Sequence, residues 1–169
     1  MPELDEPIHL CTYDQRWPDL FASEALRITA ELPDVAIEHI GSTAVPSLLA
    51  KPIIDVMLGI EPGCDVLSVR RELVVLGYED LGEAGVSGRL YFRRRGNSAF
   101  NIALVERDGA LWRDNAALRD YLRANSSAAR EYAAAKRSAF ESGIRSLLAY
   151  SKYKGPVIDR LLKQAFTVA

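Results

Sequence analysis

Apolar side chains follow two different periods in the first third of the chain. Over residues 18–32 they recur at helical spacing, which predicts an amphipathic helix. The segments 35–40 and 53–60 are instead rich in β-branched residues, which predicts two strands. The second of these strands is apolar on both faces except at Asp55, so we expect a central strand that is covered on both sides.

The middle of the chain predicts further strands and one more helix. A short first strand is expected at 7–13, ahead of the elements above. Apolar residues at helical spacing then predict a helix that begins near Val66 and ends at Gly77, a residue suited to the position just after a helix. The Gly-rich segment 81–88 predicts a loop or a hairpin connection. Two more strands are predicted after that loop, at 89–94 and 99–106.

The last third of the chain has a helical pattern. Asp114 is expected to cap one helix, and Ser126 or Ser127 a second helix that is rich in alanine. A last helix is expected after Pro156, because proline is favoured in a first helical turn. The order of elements predicts an α+β fold, in which a mixed sheet is backed by helices and a C-terminal helical segment follows. We expect one domain over residues 1–169.

Composition narrows the class of protein. Hydrophobic residues make up 49% and charged residues 26% of the 169 residues, as in ordinary globular proteins. A net charge of -2 and a pI of about 5.7 argue against a general nucleic-acid-binding surface, while leaving room for a local basic patch.

The chain shows no pattern typical of membrane insertion or secretion. No apolar run is long enough to cross a bilayer, and the acidic N-terminal segment lacks the features of a signal peptide. Cys11 and Cys64 sit in apolar contexts, so both thiols are expected to be buried and unreactive. These features favour a reducing, cytoplasmic location.

The stretch EHIGSTAVPSLLAKPIIDVML, residues 38–58, holds most of the candidate chemistry. Gly41 permits a sharp turn and the close approach of a ligand. The hydroxyl groups of Ser42 and Thr43 can donate to phosphate oxygens, and Lys51 adds a mobile positive charge. The stretch is therefore a candidate phosphate-handling site, and an ordinary turn with polar residues at its corner is the alternative.

Asp55 is the strongest single indication of function. A buried carboxylate is costly unless it is paired, hydrogen-bonded or bound to a metal. Mg²⁺ prefers oxygen ligands and commonly bridges a protein carboxylate and a substrate phosphate, and Glu38 and His39 are close enough in sequence to share such a site. The alternative is structural: Asp55 pairs with Lys51 or an arginine, and the hydroxyl groups near Gly41 cap a turn. Spacing leaves both interpretations open.

Several familiar motifs are absent from the sequence. No Gly-Lys pair follows Gly41 at the spacing of a Walker A loop, where Pro46 stands instead. The segment 85–89 has Arg89 where a nucleophile elbow requires its second glycine. Cysteine and histidine residues do not have zinc-site spacing.

Two linked motifs resemble the GrpB-like family, a member of the DNA polymerase beta-like nucleotidyltransferase superfamily. The motifs are IEHIGSTAVP, residues 37–46, and AKPIID, residues 50–55. The resemblance continues over most of the chain in shorter matches. These are Tyr13-Asp14 with Trp17-Pro18, Leu76-Gly77-Tyr78, Tyr91-Phe92-Arg93, Arg119-Asp120-Tyr121-Leu122, Glu131-Tyr132, Lys136, and Tyr150 with Lys154.

The resemblance implies a minimal nucleotidyltransferase fold and a role for each matching residue. Gly41, Ser42 and Thr43 would bind the phosphates of a nucleoside triphosphate. Asp55 would bind Mg²⁺, and Asp55 and Ser42 would be the catalytic residues. Three basic residues are candidate neighbours of the phosphates, namely Lys51, Arg93 and Lys154. Glu38 and His39 are added as metal ligands because they lie close to this motif in sequence, and the resemblance itself does not assign them.

The sequence departs from the superfamily pattern in two places. The second acidic residue is expected two positions after Asp55, where this chain has Met57, which cannot serve Mg²⁺. A His-x-His pair on the later strand is replaced by Asn101 and Ala103. Two functions therefore stay open: Mg²⁺-dependent nucleotidyl transfer to an unknown acceptor, and a nucleotide- or anion-binding module without turnover.

Overall fold

The computed structural model describes residues 4–168. Within them the chain forms five α-helices and one sheet of five strands. The helices are α1 Trp17–Glu31, α2 Val66–Val75, α3 Ala110–Ala124, α4 Ser126–Glu141 and α5 Leu147–Val168. The strands are β1 Ala36–Ile40, β2 Ile53–Ile60, β3 Glu79–Asp80, β4 Leu90–Arg94 and β5 Ala99–Glu106, and a short 3-10 turn spans Ser42–Ala44.

The sheet is mixed, with the strand order β1-β2-β5-β4-β3. β2 pairs in parallel with β5, and the other neighbouring strands are antiparallel. The two central strands begin and end where the sequence predicts them, because both are buried and carry long apolar runs. The α+β class predicted from the sequence is confirmed.

Each face of the sheet is covered by different helices. On one face α1 and α2 pack against β2, β4 and β5 and form the largest cluster of buried residues, which includes Ile28, Leu73, Val56, Phe92 and Ile102. On the other face α3 packs against a smaller cluster around Met57. The C-terminal helices α4 and α5 lie beside this second face and bury Val45 and Leu48, from the segment after the 3-10 turn.

The predicted first strand at 7–13 is wrong. Pro7 and Cys11 each form a single bridge, to Ser146 and Ala50 respectively, and neither partner belongs to the sheet. Ile8 packs against α4 and α5 instead, so this segment is held by side-chain burial. The sequence prediction also missed β3, whose two residues pair with β4 at the edge of the sheet.

Three predicted helix starts are displaced. α3 begins after Gly109, well before Asp114, and α4 is capped by the side chain of Asn125, which accepts a hydrogen bond from the backbone N–H of Ala128. α5 begins at Leu147 and contains Pro156 in its interior. Burial of Leu147 and Tyr150 against the N-terminal segment stabilises the turns that precede the proline.

The cysteine prediction is wrong in part. Cys11 is half-buried, but Cys64 is exposed, because it lies in the turn before α2. Burial raises the pKa of the Cys11 thiol. Across residues 4–168, none of the helices is both long and apolar enough to cross a membrane.

Candidate phosphate-binding site

Gly41 forms a tight turn between β1 and the 3-10 turn. Its backbone has a φ of 72°, a conformation that residues with a Cβ rarely adopt. A Cβ at this position would lie 2.6 Å from Oδ2 of Asp55. Glycine is therefore needed for both the backbone conformation and the close approach of the Asp55 carboxylate.

Asp55 lies in the middle of the sheet. Its side chain is on the same face as Met57, which is the face that α3 covers. Asp55 pairs in register with Ile40 on β1 and with Asn101 on β5, so these side chains share one face. Nδ2 of Asn101 donates a hydrogen bond of 2.8 Å to Oδ1 of Asp55. Within residues 4–168, Asp55 forms no salt bridge with a lysine or arginine, which leaves the amide of Asn101 as its side-chain partner.

A chain of polar contacts fixes the Asn101 amide. Nη2 of Arg95 donates to Oδ1 of Asn101 at 2.9 Å, and the same nitrogen lies 2.5 Å from Oε1 of Glu6. Asn101 is buried, so its amide orientation is set by these two neighbours. The chain Glu6, Arg95, Asn101 therefore holds the Asp55 carboxylate in place from behind.

Ser42 is held by a lysine from the C-terminal helices. Nζ of Lys136, on α4, donates a hydrogen bond to Oγ of Ser42. It also donates to the carbonyl oxygen of Leu49 at a distance of 2.7 Å. Lys136 is only 1% exposed. Burial, followed by the positive charges of Lys154 and Lys51, shifts the pKa of Lys136 well below its usual range.

These groups surround a small cavity of about 80 Å³. A Gly-Ser-Thr turn, a carboxylate and two lysines meet there, together with two tyrosines that the sequence pattern did not select. The lining includes Gly41, Ser42, Thr43, Lys51, Asp55, Tyr132, Tyr150 and Lys154.

The two tyrosines position Lys154 at the cavity. Nζ of Lys154 lies 4.2 Å from the ring centroid of Tyr150 and donates to the hydroxyl of Tyr132 at 3.2 Å. Nζ of Lys136 lies 4.3 Å from the Tyr132 ring. Aromatic faces stabilise ammonium groups without neutralising them, so the lysines keep their capacity to attract an anion.

The cavity has more basic groups than acidic ones. Lys51 and Lys154 line it and Lys136 lies behind Ser42, whereas Asp55 is the one carboxylate in the lining. Burial also lowers the pKa of Lys51, and the neighbouring carboxylate of Asp55 partly offsets that effect. Buried lysines that face one another are stabilised by an incoming anion, so this lining favours an anionic ligand.

Two of the predicted metal-site residues are engaged elsewhere. The imidazole of His39 stacks on Phe21, with ring centroids 4.6 Å apart, on the face of the sheet opposite Asp55. Nε2 of His39 and the hydroxyl of Thr43 are hydrogen-bonded at 2.9 Å. Burial lowers the pKa of His39 to about 4. Glu38 shares the Asp55 face, but its carboxylate accepts a hydrogen bond of 2.6 Å from Nη1 of Arg119.

Arg93 also lies outside the cavity. Its Nε is 2.5 Å from the carboxylate of Glu79, its neighbour on β3. The adjacent Arg94 points to the first face, where it bonds the buried carboxylate of Glu24. The three consecutive arginines before β5, residues 93–95, therefore form ion pairs within the fold.

The residues present do not form a complete metal site. Met57, on the same face two residues after Asp55, is fully buried in an apolar cluster. Among residues 4–168, no group of three or more histidine, cysteine, aspartate or glutamate side chains is placed to hold a metal ion. Asp55 could serve one Mg²⁺ ion whose other ligands are water and substrate phosphates, but a two-metal site does not fit.

Four residues at the site were not selected as site residues by the sequence: Lys136, Tyr132, Tyr150 and Arg95. Three of them belong to the short matches to the GrpB-like family, which was the available signal. Spacing could not select them, because Lys136 is 94 residues from Ser42 along the chain.

Comparisons with known proteins agree with this fold. The chain matches the family model described as GrpB protein over residues 7–164. A UPF0157 protein of Pseudomonas aeruginosa is 34% identical over 171 residues, which covers 95% of this chain and 69% of that protein. A UPF0157 protein of Halalkalibacterium halodurans is 33% identical, over 94% of this chain and 82% of the relative. This chain belongs to the GrpB family.

Not every relative has the same length. A UPF0157 protein of Bacillus subtilis is 33% identical over 133 residues, and the match spans 39% of its length. The chain therefore covers less than half of that relative.

Solved structures show which fold the family shares. The crystal structure of the conserved protein GrpB from Enterococcus faecalis matches with a TM-score of 0.84 and 31% identity, over 94% of this chain and 98% of that one. Terminal uridylyl transferase 4 from Trypanosoma brucei, solved with bound CTP, matches with a TM-score of 0.50 and 20% identity, over 90% of this chain and 51% of that one. The second similarity shows a nucleotidyltransferase-like fold and nothing further about activity.

Proposed function

We propose that this GrpB-family chain binds the phosphate groups of a nucleoside triphosphate at the cavity between the Gly41 turn and helices α4 and α5. The observation that carries the proposal is the convergence of Lys51, Lys154 and Ser42 on one cavity, with Lys136 directly behind Ser42. Charge-assisted hydrogen bonds from such groups to phosphate oxygens are among the strong polar contacts in proteins.

The size of the cavity limits what enters it. Sites that enclose a whole small-molecule ligand usually measure about 300–1,000 Å³. The cavity of about 80 Å³ is large enough for one tetrahedral anionic group. We therefore assign one phosphate group to the cavity and place the rest of the nucleotide outside its mouth.

The second candidate function is Mg²⁺-dependent nucleotidyl transfer to an unknown acceptor. Asp55 favours it, since Oδ2 of this carboxylate faces Gly41 at the cavity and accepts no hydrogen bond from residues 4–168. In this reaction an acceptor oxygen bonds to the α-phosphorus and pyrophosphate leaves. Mg²⁺, when bound, would neutralise charge on the phosphates. Asp55 would be its one protein carboxylate, and Ser42 would orient the phosphates.

Calorimetric titration tests the binding proposal. Each of the four nucleoside triphosphates, inorganic tripolyphosphate and the free nucleosides would be titrated with EDTA present, into the wild-type protein and the Ser42→Ala, Lys154→Met and Lys152→Met variants. Lys152 lies on the exposed side of α5, so its variant controls for the general loss of one positive charge. We expect triphosphates to bind, nucleosides not to bind, and the first two variants to lose about tenfold or more in affinity. Equal affinity in all variants would contradict the proposal.

Release of pyrophosphate tests the transfer candidate. The protein would be incubated with each triphosphate, Mg²⁺ and a broad set of acceptors, beside an Asp55→Asn control. Transfer predicts Mg²⁺-dependent release that the control lacks. Binding without release above the control would leave the anion-binding function and remove the enzymatic one.

A further inference from the structure

A second and larger cavity shares the 45–49 segment and helix α4 with the phosphate site. It measures about 630 Å³, a volume in the range that encloses whole small-molecule ligands. Leu49 links the two: its backbone carbonyl accepts a hydrogen bond from Lys136, and the residue also lines the larger cavity. We call the larger cavity the arginine groove. Its walls are the 45–49 segment, the end of α3, the outer side of α4 and residues 12–13.

The charged lining of the groove is entirely basic. Arg123, Arg130 and Arg137 line it, and none of its lining residues is acidic. Arg130 and Arg137 are seven residues apart on α4, so they lie two turns apart on the same side of the helix. Within residues 4–168 neither of these two guanidinium groups forms a salt bridge, whereas most other arginines near the sheet do.

Arg123 is partly fixed at the edge of the groove. Its Nε donates to the carbonyl oxygen of Ala44 at 2.7 Å, which ties the end of α3 to the 3-10 turn. The other nitrogens of this guanidinium group lie beside Asp120, with the closest contact a long one of 3.8 Å. Arg130 and Arg137 are the freer partners for an incoming anion, and both are exposed.

The floor between the arginines is apolar. Val45, Leu48, Leu122 and Ala133 form it, and each is less than 10% exposed. Tyr13 and Pro46 extend the same surface toward solvent. A ligand that fills the groove must therefore combine an apolar body with groups that a guanidinium can bind.

Residues on α4 separate the two sites. Tyr132 and Lys136, four residues apart, face the phosphate cavity, while Ala133 and Arg137 line the groove. A ligand in the groove does not need to displace any group that we assign to the phosphate cavity. The groove is thus separate from the phosphate cavity, and a ligand there does not depend on the function proposed above.

We propose that the arginine groove binds a small molecule with an aromatic or acyl body and at least one phosphate or carboxylate group. The apolar body would lie on the floor formed by Leu48 and Leu122. The oxyanion would be held by Arg130 and Arg137, whose planar guanidinium groups match both phosphate and carboxylate oxygens. Small molecules are favoured over a polymer because the basic groups line a bounded cavity.

Fluorescence and calorimetric titration with four probes tests this proposal. The probes are 1-naphthyl phosphate, 1-naphthoate, 1-naphthol and inorganic phosphate. We expect the two naphthyl anions to bind more tightly than either 1-naphthol or phosphate alone. Only these two probes can both pack on the apolar floor and bind the arginines. The ratio of their affinities distinguishes a phosphate site from a carboxylate site.

Matched variants locate the binding. Arg130→Gln combined with Arg137→Gln should weaken both naphthyl anions by about tenfold or more. Arg71→Gln, an exposed arginine on α2, should change nothing. Ala129→Phe, which fills the groove with an apolar side chain, should also block binding. Circular dichroism of each variant checks that the fold is intact.

Two results would overturn the proposal. Unchanged affinity in both the double arginine variant and Ala129→Phe would show that the probes do not bind in the groove. Loss of naphthyl phosphate binding in Lys136→Met, with no loss in the double arginine variant, would place the probe in the phosphate cavity. Failure of triphosphate binding alone would leave this proposal standing, since its probes and variants are different.

Discussion

Nζ of Lys136 donates a hydrogen bond to Oγ of Ser42, joining helix α4 to the turn that follows β1. This contact places a buried amine behind the Ser42 hydroxyl, which lines the phosphate cavity. Lys136 does not line the cavity itself, so it is a positioning residue for Ser42.

Lys136→Met should lose phosphate binding without losing stability. Methionine has a similar volume and removes the cost of burying an amine, so the free energy of unfolding should stay within about 1 kcal/mol or rise. Affinity for tripolyphosphate should fall, because Ser42 loses its partner and the cavity loses a charge. Urea unfolding and calorimetry measure the two quantities, with Lys152→Met as the control. A large loss of stability would show that Lys136 is a structural residue.

Phosphate binding should be accompanied by uptake of a proton. Burial, Lys154 and Lys51 hold the pKa of Lys136 well below its usual range, and Asp55 is the nearby group that raises it. A bound polyanion raises this pKa further, so affinity should fall as pH increases. Calorimetry in buffers with different ionisation enthalpies counts the protons. Lys136→Met should abolish the uptake, and equal heats in all buffers for the wild type would contradict the prediction.

Asp55→Asn separates a structural carboxylate from a functional one. Asparagine keeps an acceptor for Asn101, and Asp55 has no ion pair within residues 4–168, so we expect a loss of about 1 kcal/mol or less. Without metal, the variant should bind tripolyphosphate more tightly, because a negative charge has left the cavity. If Mg²⁺ bridges Asp55 and the phosphates, the order reverses when Mg²⁺ is added. A loss of several kcal/mol with unchanged binding would remove Asp55 from the site.

Gly41→Ala should lower the free energy of unfolding more than the same substitution at Gly63. Gly63 also has a positive φ, of +86°, but a Cβ there meets nothing within 4 Å. Gly63→Ala therefore measures backbone strain alone, expected at about 1–2 kcal/mol. Gly41→Ala adds a clash with the Asp55 carboxylate and should destabilise the fold further, as well as weaken phosphate binding. Chemical unfolding of both variants checks this. Equal costs would show that the carboxylate moves away freely.

Stability should fall in mild acid because of His39. Its pKa is lowered to about 4 by burial, whereas it is about 6.5 in the unfolded chain. The unfolded state therefore binds more protons between these values, and stability is lost as pH falls from about 6.5 toward 4. The total loss is about 3 kcal/mol.

The second histidine supplies the control for that measurement. His9 is exposed, so His9→Gln should keep the pH dependence of the urea midpoint between pH 7 and 5, and His39→Gln should reduce it. If the urea midpoint depends equally on pH in both variants, the loss of stability in acid comes from carboxylates and not from His39.

Local pattern determined the centre of the sheet and part of the site. The limits of β2 and β5 followed from long apolar runs, because a buried central strand must be apolar on both faces. Strict alternation along β2 placed Asp55 and Met57 on one face. The Gly41 turn was evident because few residues other than glycine adopt its backbone conformation.

Only the tertiary structure decided which polar groups meet. Glu38 pairs with Arg119, and Arg93 pairs with Glu79. Helix α4, far along the chain, brings Lys136 to Ser42 and Tyr132 to the same cavity. The helix starts and the segment 7–13 were decided by burial against distant elements. Sequence periodicity records which face of an element is buried, but the packing of one element against another selects the partners. For this reason the turn, its carboxylate and two of the lysines were predicted, whereas Lys136 and the two tyrosines had to be observed.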